Sequence, residues 1–185
     1  MIAEIDVRAV LSRSVCEFHS DLVTRPTGRA VRSGIEAHLL EHPDVTVVVL
    51  DFSEVRVLDC SCADEVVAQL LMRSAGGASR GTYFVLRGLA AMHAEQLDDV
   101  LRRHGLALVA EERGGGKRLL GGVTDLMRAA WEQVMRIGAA LPEDLAAELA
   151  WPVDEVRRAL DELLARRLVM LAPPPDRHYL PLTAA

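Results

Sequence analysis

The chain has 185 residues, of which 50% are hydrophobic and 26% are charged, and its 21 basic and 27 acidic side chains give a net charge of −6. This size suits one large domain or an ordinary domain with a small second one, and the composition excludes a disordered, collagen-like or disulfide-scaffold chain. The apolar runs are short and the N-terminus lacks the basic start of a signal peptide, so we expect a cytoplasmic protein with no membrane partner.

Strands and helices are predicted to alternate over the first 120 residues. Residues 5–11 alternate in hydropathy and predict an edge strand. Residues 27–42 carry apolar side chains at a spacing of four and predict a helix that ends before Pro43. The β-branched run at residues 45–50 is typical of a strand that is buried on both faces.

A second helix is predicted after Asp59, with an apolar stripe over residues 63–71. Ser61 and Asp64 have the spacing of a capping box, which predicts Ser61 as the N-cap. The remaining elements are strands at residues 83–86 and 106–109, a helix at residues 90–104 that is predicted to bury Met92, and a hairpin arm at residues 117–120. This order indicates an α/β fold, a sheet with packed helices.

The pair Gly121-Gly122 marks a change of pattern. Beyond it the sequence predicts helices at residues 125–137, 142–150 and 153–167, followed by a hairpin over residues 168–182. We therefore predict two domains, residues 1–121 and 122–185. Residues 1–120 carry 14 basic and 17 acidic side chains and residues 121–185 carry 7 and 10, so neither part has the basic balance of a typical nucleic-acid-binding domain.

Residues 47–71, which read VVVLDFSEVRVLDCSCADEVVAQLL, resemble the centre of STAS domains, the fold of anti-sigma-factor antagonists. In that family a buried strand ends in an Asp-containing turn, and an Asp-Ser-Ser-Gly signature opens the next helix. Residues 25–40 and the start of this helix resemble more closely the divergent STAS-like domains found beside histidine-kinase-type ATPases. In the antagonists a partner kinase phosphorylates the first serine; Cys60 stands at that position, and Ser61 matches the second serine.

The resemblance implies a protein-binding surface at this helix start and on the helix before it. The expected partner-binding or switch residues are Asp59, Cys60, Ser61, Asp64, Glu65, Arg25, Arg29 and Arg32. The three arginines form one stripe, which is either a docking edge for an acidic partner or a nucleotide phosphate, or a solvated face paired with Asp21 and Glu36. Ser61 is either a phosphorylation site, where added charge would repel an acidic partner, or a plain helix cap.

Residues 124–182 resemble a winged helix, in which DEVRRALDELLARRLVM is the third helix running into the first strand of the wing. In DNA-binding relatives the exposed face of this helix enters the major groove. The candidate DNA contacts are Arg157, Arg158, Arg177 and His178. The same helix begins with two acidic residues that face phosphates badly, and winged helices also bind proteins or dimerise. Both uses, and a homodimer, stay open.

Asp51, Asp59 and Asp64 lie near the predicted carboxyl end of the central strand, where open α/β sheets bind ligands. They would form a magnesium site or a phosphoacceptor, but we favour turn formation and capping. Cys60 and Cys62 lie at a helix start, which lowers thiol pKa values, so a redox thiol is an alternative to packing as small apolar residues.

His38 and His42 have the i, i+4 spacing of a zinc pair on a helix, but we recognise no acid at a suitable place and interpret them as surface residues. The sequence contains no phosphate-loop, dinucleotide or nucleophile-elbow motif. We therefore predict no catalytic residue, no metal and no cofactor.

Together these observations predict a non-enzymatic regulatory protein, in which a STAS-like module recognises a partner and a winged helix provides the output. The resemblance implies a histidine-kinase-type ATPase or an anti-sigma-like protein as the partner. The alternative is a transcription regulator that binds double-stranded DNA through the winged helix and uses the N-terminal domain as a sensor.

Overall fold

The computed structural model describes residues 1–15, 21–76 and 81–182. The chain divides into two compact units, one spanning Met1–Gly122 and one beginning at Val123. Within the described residues, no helix is both long enough and apolar enough to cross a bilayer.

The first unit is a mixed α/β structure. Its elements in chain order are β1 (Ile2–Asp6), α1 (Val7–Ser14), β2 (Asp21–Leu22), α2 (Arg25–Glu41), β3 (Val47–Asp51), β4 (Val57–Leu58), α3 (Cys60–Ala63), a π-helical turn (Asp64–Ala68), α4 (Gln69–Gly76), β5 (Tyr83–Leu89), α5 (Ala91–Arg103), β6 (Ala107–Glu112) and β7 (Lys117–Gly121). The helix α3 continues through the π-helical turn into α4 without a break.

The central sheet has five strands in the order β1-β3-β5-β6-β7. The first four strands are parallel, and β7 returns antiparallel to β6 as the predicted hairpin arm. All four residues 47–50 of β3 are buried, as the continuous apolar run predicts. The short strands β2 and β4 pair in parallel outside this sheet, which brings the chain before α2 beside the chain before α3.

An apolar core joins one face of the sheet to the helices. The strand residues in it include Val48, Leu50, Phe84, Leu86 and Leu108, and the helix residues include Val31, Ile35, Leu39, Val66, Leu70, Leu97 and Leu101. The i, i+4 spacing of the α2 residues places them on one buried face of that helix.

Two predictions about the strands and helices of this unit are wrong. The edge strand predicted for residues 5–11 ends at Asp6, because the Asp6 carboxylate accepts a hydrogen bond from the backbone N–H of Ala9 at 3.0 Å and caps α1. Met92, predicted to be buried, is 70% exposed. The inward face of α5 is formed by His93, Leu97 and their neighbours one turn apart, and Met92 lies outside that stripe.

The second unit contains α6 (Asp125–Ile137), α7 (Pro142–Leu149), α8 (Val153–Ala165), β8 (Val169–Leu171) and β9 (Tyr179–Pro181). Thr124 caps α6 by accepting a hydrogen bond from the N–H of Met127 at 3.2 Å. The antiparallel pair β8–β9 is extended by a bridge between Ala140 and Tyr179. The Tyr179 hydroxyl donates to Asp161 on α8 at 2.7 Å, which ties the hairpin to that helix.

Gly88 in β5 tests the tight packing at the carboxyl edge of the sheet. Its φ of 71° disfavours any side chain, and a Cβ there would clash with Ser53 Oγ and would lie 2.8 Å from Ser53 Cα. We expect Gly88→Ala to lower the free energy of unfolding by about 1–3 kcal/mol, the usual cost of overpacking. Urea unfolding followed by far-UV circular dichroism measures this change. Tryptophan fluorescence would not report directly on the first unit, because both tryptophans lie in the second unit.

The matched control is Gly114→Ala, where an added Cβ meets nothing within 4 Å. This variant should unfold within about 0.5 kcal/mol of the wild type. Equal urea midpoints for the two variants would contradict the packing described for Gly88.

Candidate functional site

The helix start at α3 is built by Asp59. Its carboxylate accepts hydrogen bonds from the backbone N–H of Cys62 at 2.7 Å and from the backbone N–H of Thr24 at 2.9 Å. The prediction that Ser61 caps this helix is wrong, because the Ser61 hydroxyl donates to Asp59 at 2.8 Å. Burial alone would raise the pKa of Asp59, but these hydrogen bonds outweigh burial and hold that pKa below its usual value.

Glu65 lies in the π-helical turn and is only 4% exposed. It accepts hydrogen bonds from three arginines of α2: Arg25 at 3.0 Å, Arg29 at 3.2 Å and Arg32 at 3.4 Å. Burial alone would raise the pKa of Glu65, but the bonds from Arg25 and Arg29 outweigh burial and lower it. The buried carboxylate is therefore charged and fully partnered in the folded protein.

The predicted stripe of Arg25, Arg29 and Arg32 exists, but it is not an open basic edge. Each of its three guanidinium groups pairs with Glu65, and Arg32 also pairs with Glu36 at 3.1 Å, as the sequence predicts. The side chain of Arg32 is 12% exposed, while those of Arg25 and Arg29 are 47% and 62% exposed. The stripe therefore joins α2 to the helix start, with two of its guanidinium groups still reaching solvent.

From the sequence, Asp21 was a possible partner of the arginine stripe, but the structure shows strong contacts of Asp21 with a different arginine. Asp21 receives two hydrogen bonds from Arg56, at 3.0 and 2.8 Å. Asp21 lies in β2 and Arg56 directly precedes β4, so this bond supports the strand pair that leads into α2 and α3.

Asp64 connects three segments of the first unit. Its carboxylate accepts from Arg25 at 2.8 Å and pairs with His104 Nε2 at 2.6 Å, at the end of α5. Burial raises the pKa of Asp64, and the contacts with Arg25 and His104 outweigh that effect and lower it. The beginning of the helix is thereby tied to both α2 and α5.

A surface cleft of about 340 Å³ opens beside this network. We call it the α3 cleft; it is lined by Arg25, Cys60, Ser61, Asp64, Val100, Arg103 and His104. The wall formed by α5 was not predicted, since Arg103 and His104 are about forty residues from the helix start and no local spacing links them. Four of the eight predicted partner-binding residues line the cleft, and Asp59, Glu65, Arg29 and Arg32 support it from outside its lining.

The two cysteines of the helix start have opposite environments. Cys62 is buried, and its Sγ donates to the carbonyl oxygen of Thr24 at 3.0 Å. Burial, together with the charge of Asp59, raises the pKa of Cys62 to about 12, so the lowered pKa considered from the sequence is wrong for this thiol. Cys60 is exposed at the α3 cleft, so its interpretation as a buried packing residue is also wrong.

The three aspartates of the carboxyl edge have separate local roles. Asp51 accepts from the backbone N–H of Ser53 at 2.7 Å and stabilises a turn, Asp59 caps α3, and Asp64 binds Arg25 and His104. These contacts fit the turn and capping interpretation that we favoured over a magnesium site. Among the described residues, the group whose ligand atoms approach closely enough to hold a metal is elsewhere, at His38, Glu41 and His42.

The candidate DNA contacts of the second unit do not form one free basic face. Arg157 pairs with Glu143 of α7 at 2.7 Å. Arg158 is exposed on the same helix, and Arg177 is exposed in the connection between β8 and β9, with His178 half-buried next to it. The acidic partner of Arg157 reduces the positive potential that a phosphate would meet.

Glu65→Gln tests the charge of the buried carboxylate. We expect the free energy of unfolding at neutral pH to fall by about 2 kcal/mol, the size of hydrogen bonds to a charged group.

The same variant should change the pH dependence of stability. In the wild type, the carboxylates of Asp59, Asp64 and Glu65 have pKa values in the folded protein that lie below those in the unfolded chain. Their stabilisation is therefore complete above the unfolded values, near 4 to 4.5, and is lost as pH falls through the folded values. The variant should lose less stability on acidification.

Urea unfolding by circular dichroism at several pH values between about 3 and 7 measures both effects. The control is Glu54→Gln, an exposed carboxylate of the same unit, which should change stability by less than about 0.5 kcal/mol. An equal loss for both variants, or an unchanged pH slope in Glu65→Gln, would rule out the described role of Glu65.

No model of a known protein family matches the chain, and neither a curated protein nor a solved structure matches it. The resemblances to STAS-like domains and to winged helices therefore stay predictions from the sequence. What the described residues establish is a mixed α/β unit with a parallel-rich sheet, a structured cleft at the start of α3, and a separate unit of three helices and a hairpin.

Proposed function

We propose that this chain is a non-enzymatic, cytoplasmic regulatory protein whose first unit is a STAS-like partner-recognition module and whose second unit is a winged helix that provides the output. The α3 cleft carries the proposal. It gathers residues of the STAS-like segment, namely Cys60, Ser61 and Asp64, with Arg103 and His104 at the end of α5 on one accessible surface.

The cleft suits recognition of a protein because the backbone around it is already ordered in the free chain. Asp59, Asp64 and Glu65 each accept bonds from other segments of the unit, so the backbone at the helix start is fixed by long-range contacts. A preorganised surface loses little conformational entropy on binding, which favours affinity. The expected partner is a histidine-kinase-type ATPase or an anti-sigma-like protein, and competitive docking on the cleft would release or position another factor.

The environment of Ser61 favours its use as a regulatory phosphorylation site over the cap role. The helix cap is Asp59, so Ser61 is free of that role. A phosphoryl group on Ser61 would replace the hydroxyl proton that Ser61 donates to Asp59 and would place its charge beside the capping carboxylate. The group would carry a charge of about −1.5 to −2 and would lie in a cleft that also contains Arg25, Arg103 and His104. The guanidinium groups of Arg25 and Arg103 would contact the phosphate, and the cleft would change from mixed charge to strongly acidic.

The second unit supports an output role through its order of elements. A helix, a bridging residue, two helices and a hairpin follow one another, and the Ala140–Tyr179 bridge widens the hairpin into the small sheet expected of a wing. The net negative charge of residues 121–185 and the Glu143–Arg157 pair favour a protein-binding use of this unit over DNA binding.

The partner assay uses a purified histidine-kinase-type ATPase or anti-sigma-like protein encoded beside this chain, titrated by calorimetry with and without Mg-ATP. We expect the wild type to bind. Arg103→Glu and Ser61→Asp should each raise Kd at least about tenfold, equivalent to 1.4 kcal/mol, because they reverse or add charge inside the α3 cleft.

Arg8→Glu is the matched control, since it makes the same charge reversal on an exposed residue of α1. It should leave Kd unchanged. If Arg103→Glu and Arg8→Glu bind equally well, or if neither partner class binds the wild type, the proposed recognition module is excluded.

A titration against random duplex DNA separates the proposal from a DNA-binding regulator. At about 50 mM salt we expect weak binding at most, because Arg157 is paired and the unit is acidic. Arg157→Ala/Arg158→Ala should then behave like the control Arg136→Ala, which removes an arginine paired with Glu148 on the same unit. Binding that falls steeply towards about 200 mM salt, and that only the double variant abolishes, would establish the DNA-binding alternative.

A further inference from the structure

We propose that the C-terminal end of α2 binds a divalent transition-metal ion of the zinc class through His38, Glu41 and His42. This site is separate from the α3 cleft and from the function proposed for it. None of the three residues was assigned a role from the sequence, where His38 and His42 were interpreted as surface residues.

The geometry brings three ligand atoms together. One ring nitrogen of each histidine and one carboxylate oxygen of Glu41 all lie within 4.8 Å of one another. The two imidazole rings have centroids 4.7 Å apart and are tilted by 57°. Ligands held about 2.1 Å from a tetrahedral zinc ion are roughly 3.4 Å apart, so small rotations of these side chains would complete the site.

The helix produces this arrangement through its own periodicity. His38 precedes Glu41 by three positions, which places these two side chains on neighbouring positions of the last turn. His42 is the C-cap, and its non-helical backbone (φ −127°, ψ 68°) is compatible with the observed approach of its ring to the other two ligand atoms. Leu39, which is buried in the core, fixes this turn of the helix against the unit, while Glu41 and His42 are exposed and His38 is half-buried. The metal would therefore meet a fixed backbone and an open approach from solvent.

The end of a helix favours a cation for a second reason. The last carbonyl groups of α2 carry the partial negative charge of the helix dipole, and α2 ends at Glu41 with His42 as its C-cap. The same field that favours a cationic side chain at a helix C-terminus favours a bound metal ion there. The dipole of α2 and the three ligand side chains would therefore both stabilise a cation at the end of this helix.

The donor set determines the class of ion. Two imidazole nitrogens and one carboxylate oxygen match the ligands of zinc sites that keep a fourth position for water. Imidazole donors suit Zn²⁺, Cu²⁺ and Ni²⁺, whereas Mg²⁺ and Ca²⁺ take oxygen ligands almost exclusively. We therefore expect binding of Zn²⁺ and no competition from Mg²⁺.

The experiment is a calorimetric titration of the full chain with ZnCl₂ in the presence of excess Mg²⁺. The wild type should bind Zn²⁺, and His38→Gln/His42→Gln should raise Kd by more than about tenfold, since even the loss of a second-shell partner of a metal ligand costs that much. Glu41→Gln should weaken binding in the same direction. His178→Gln, a histidine of the second unit, should leave Kd unchanged.

Circular dichroism of each variant verifies that it is folded, and Cu²⁺ electron paramagnetic resonance of the wild type identifies the donors. We expect hyperfine splitting from two nitrogens that disappears in the double histidine variant. An unchanged Zn²⁺ affinity in the double variant, or a Cu²⁺ spectrum without that splitting, would overturn the site and assign any binding to other side chains, including the thiols. These outcomes do not depend on whether the α3 cleft binds a partner.

Discussion

The buried carboxylate of Glu65 is the interaction on which the candidate site depends. A charge taken out of water costs several kcal/mol unless it is paired and hydrogen-bonded, and here three guanidinium groups of α2 provide that compensation. The backbone of α2 also packs closely against the helix that contains Glu65. A Cβ on Gly28 would lie 2.9 Å from Glu65 Cβ and 3.1 Å from Cys62 Cα. Gly28 permits this close packing of the two helices, and the ion pairs of Glu65 stabilise it.

This pairing changes what the basic stripe of α2 offers to a partner. Arg25, Arg29 and Arg32 would attract an acidic ligand if they were unpaired, but their charges are largely balanced by Glu65, Asp64 and Glu36. We therefore propose the short, mixed-charge α3 cleft, and not a long basic edge, as the recognition surface of the first unit. Specificity would then depend on shape and on the placement of individual groups more than on long-range attraction.

The two ends of α2 consequently have different chemistry on the same rigid element. Its N-terminal half is joined to the start of α3 by arginines, and its last turn presents two imidazoles and a carboxylate to solvent. The core residues between them, Val31, Ile35 and Leu39, anchor the helix to the sheet. A metal ion at one end and a protein partner at the other would thus act on one helix without sharing any residue.

The sequence alone determined most of the longer strands and helices, because hydrophobic periodicity is a local property. The β-branched run forms the buried strand β3, and the apolar residues spaced by four form the inner face of α2. Tertiary structure decided the rest. Thr24 donates to Asp59 across 35 positions, a contact absent from the local spacing that suggested Ser61 as the cap. The wall of the cleft from α5 likewise depends on how helices pack together, which no local pattern encodes.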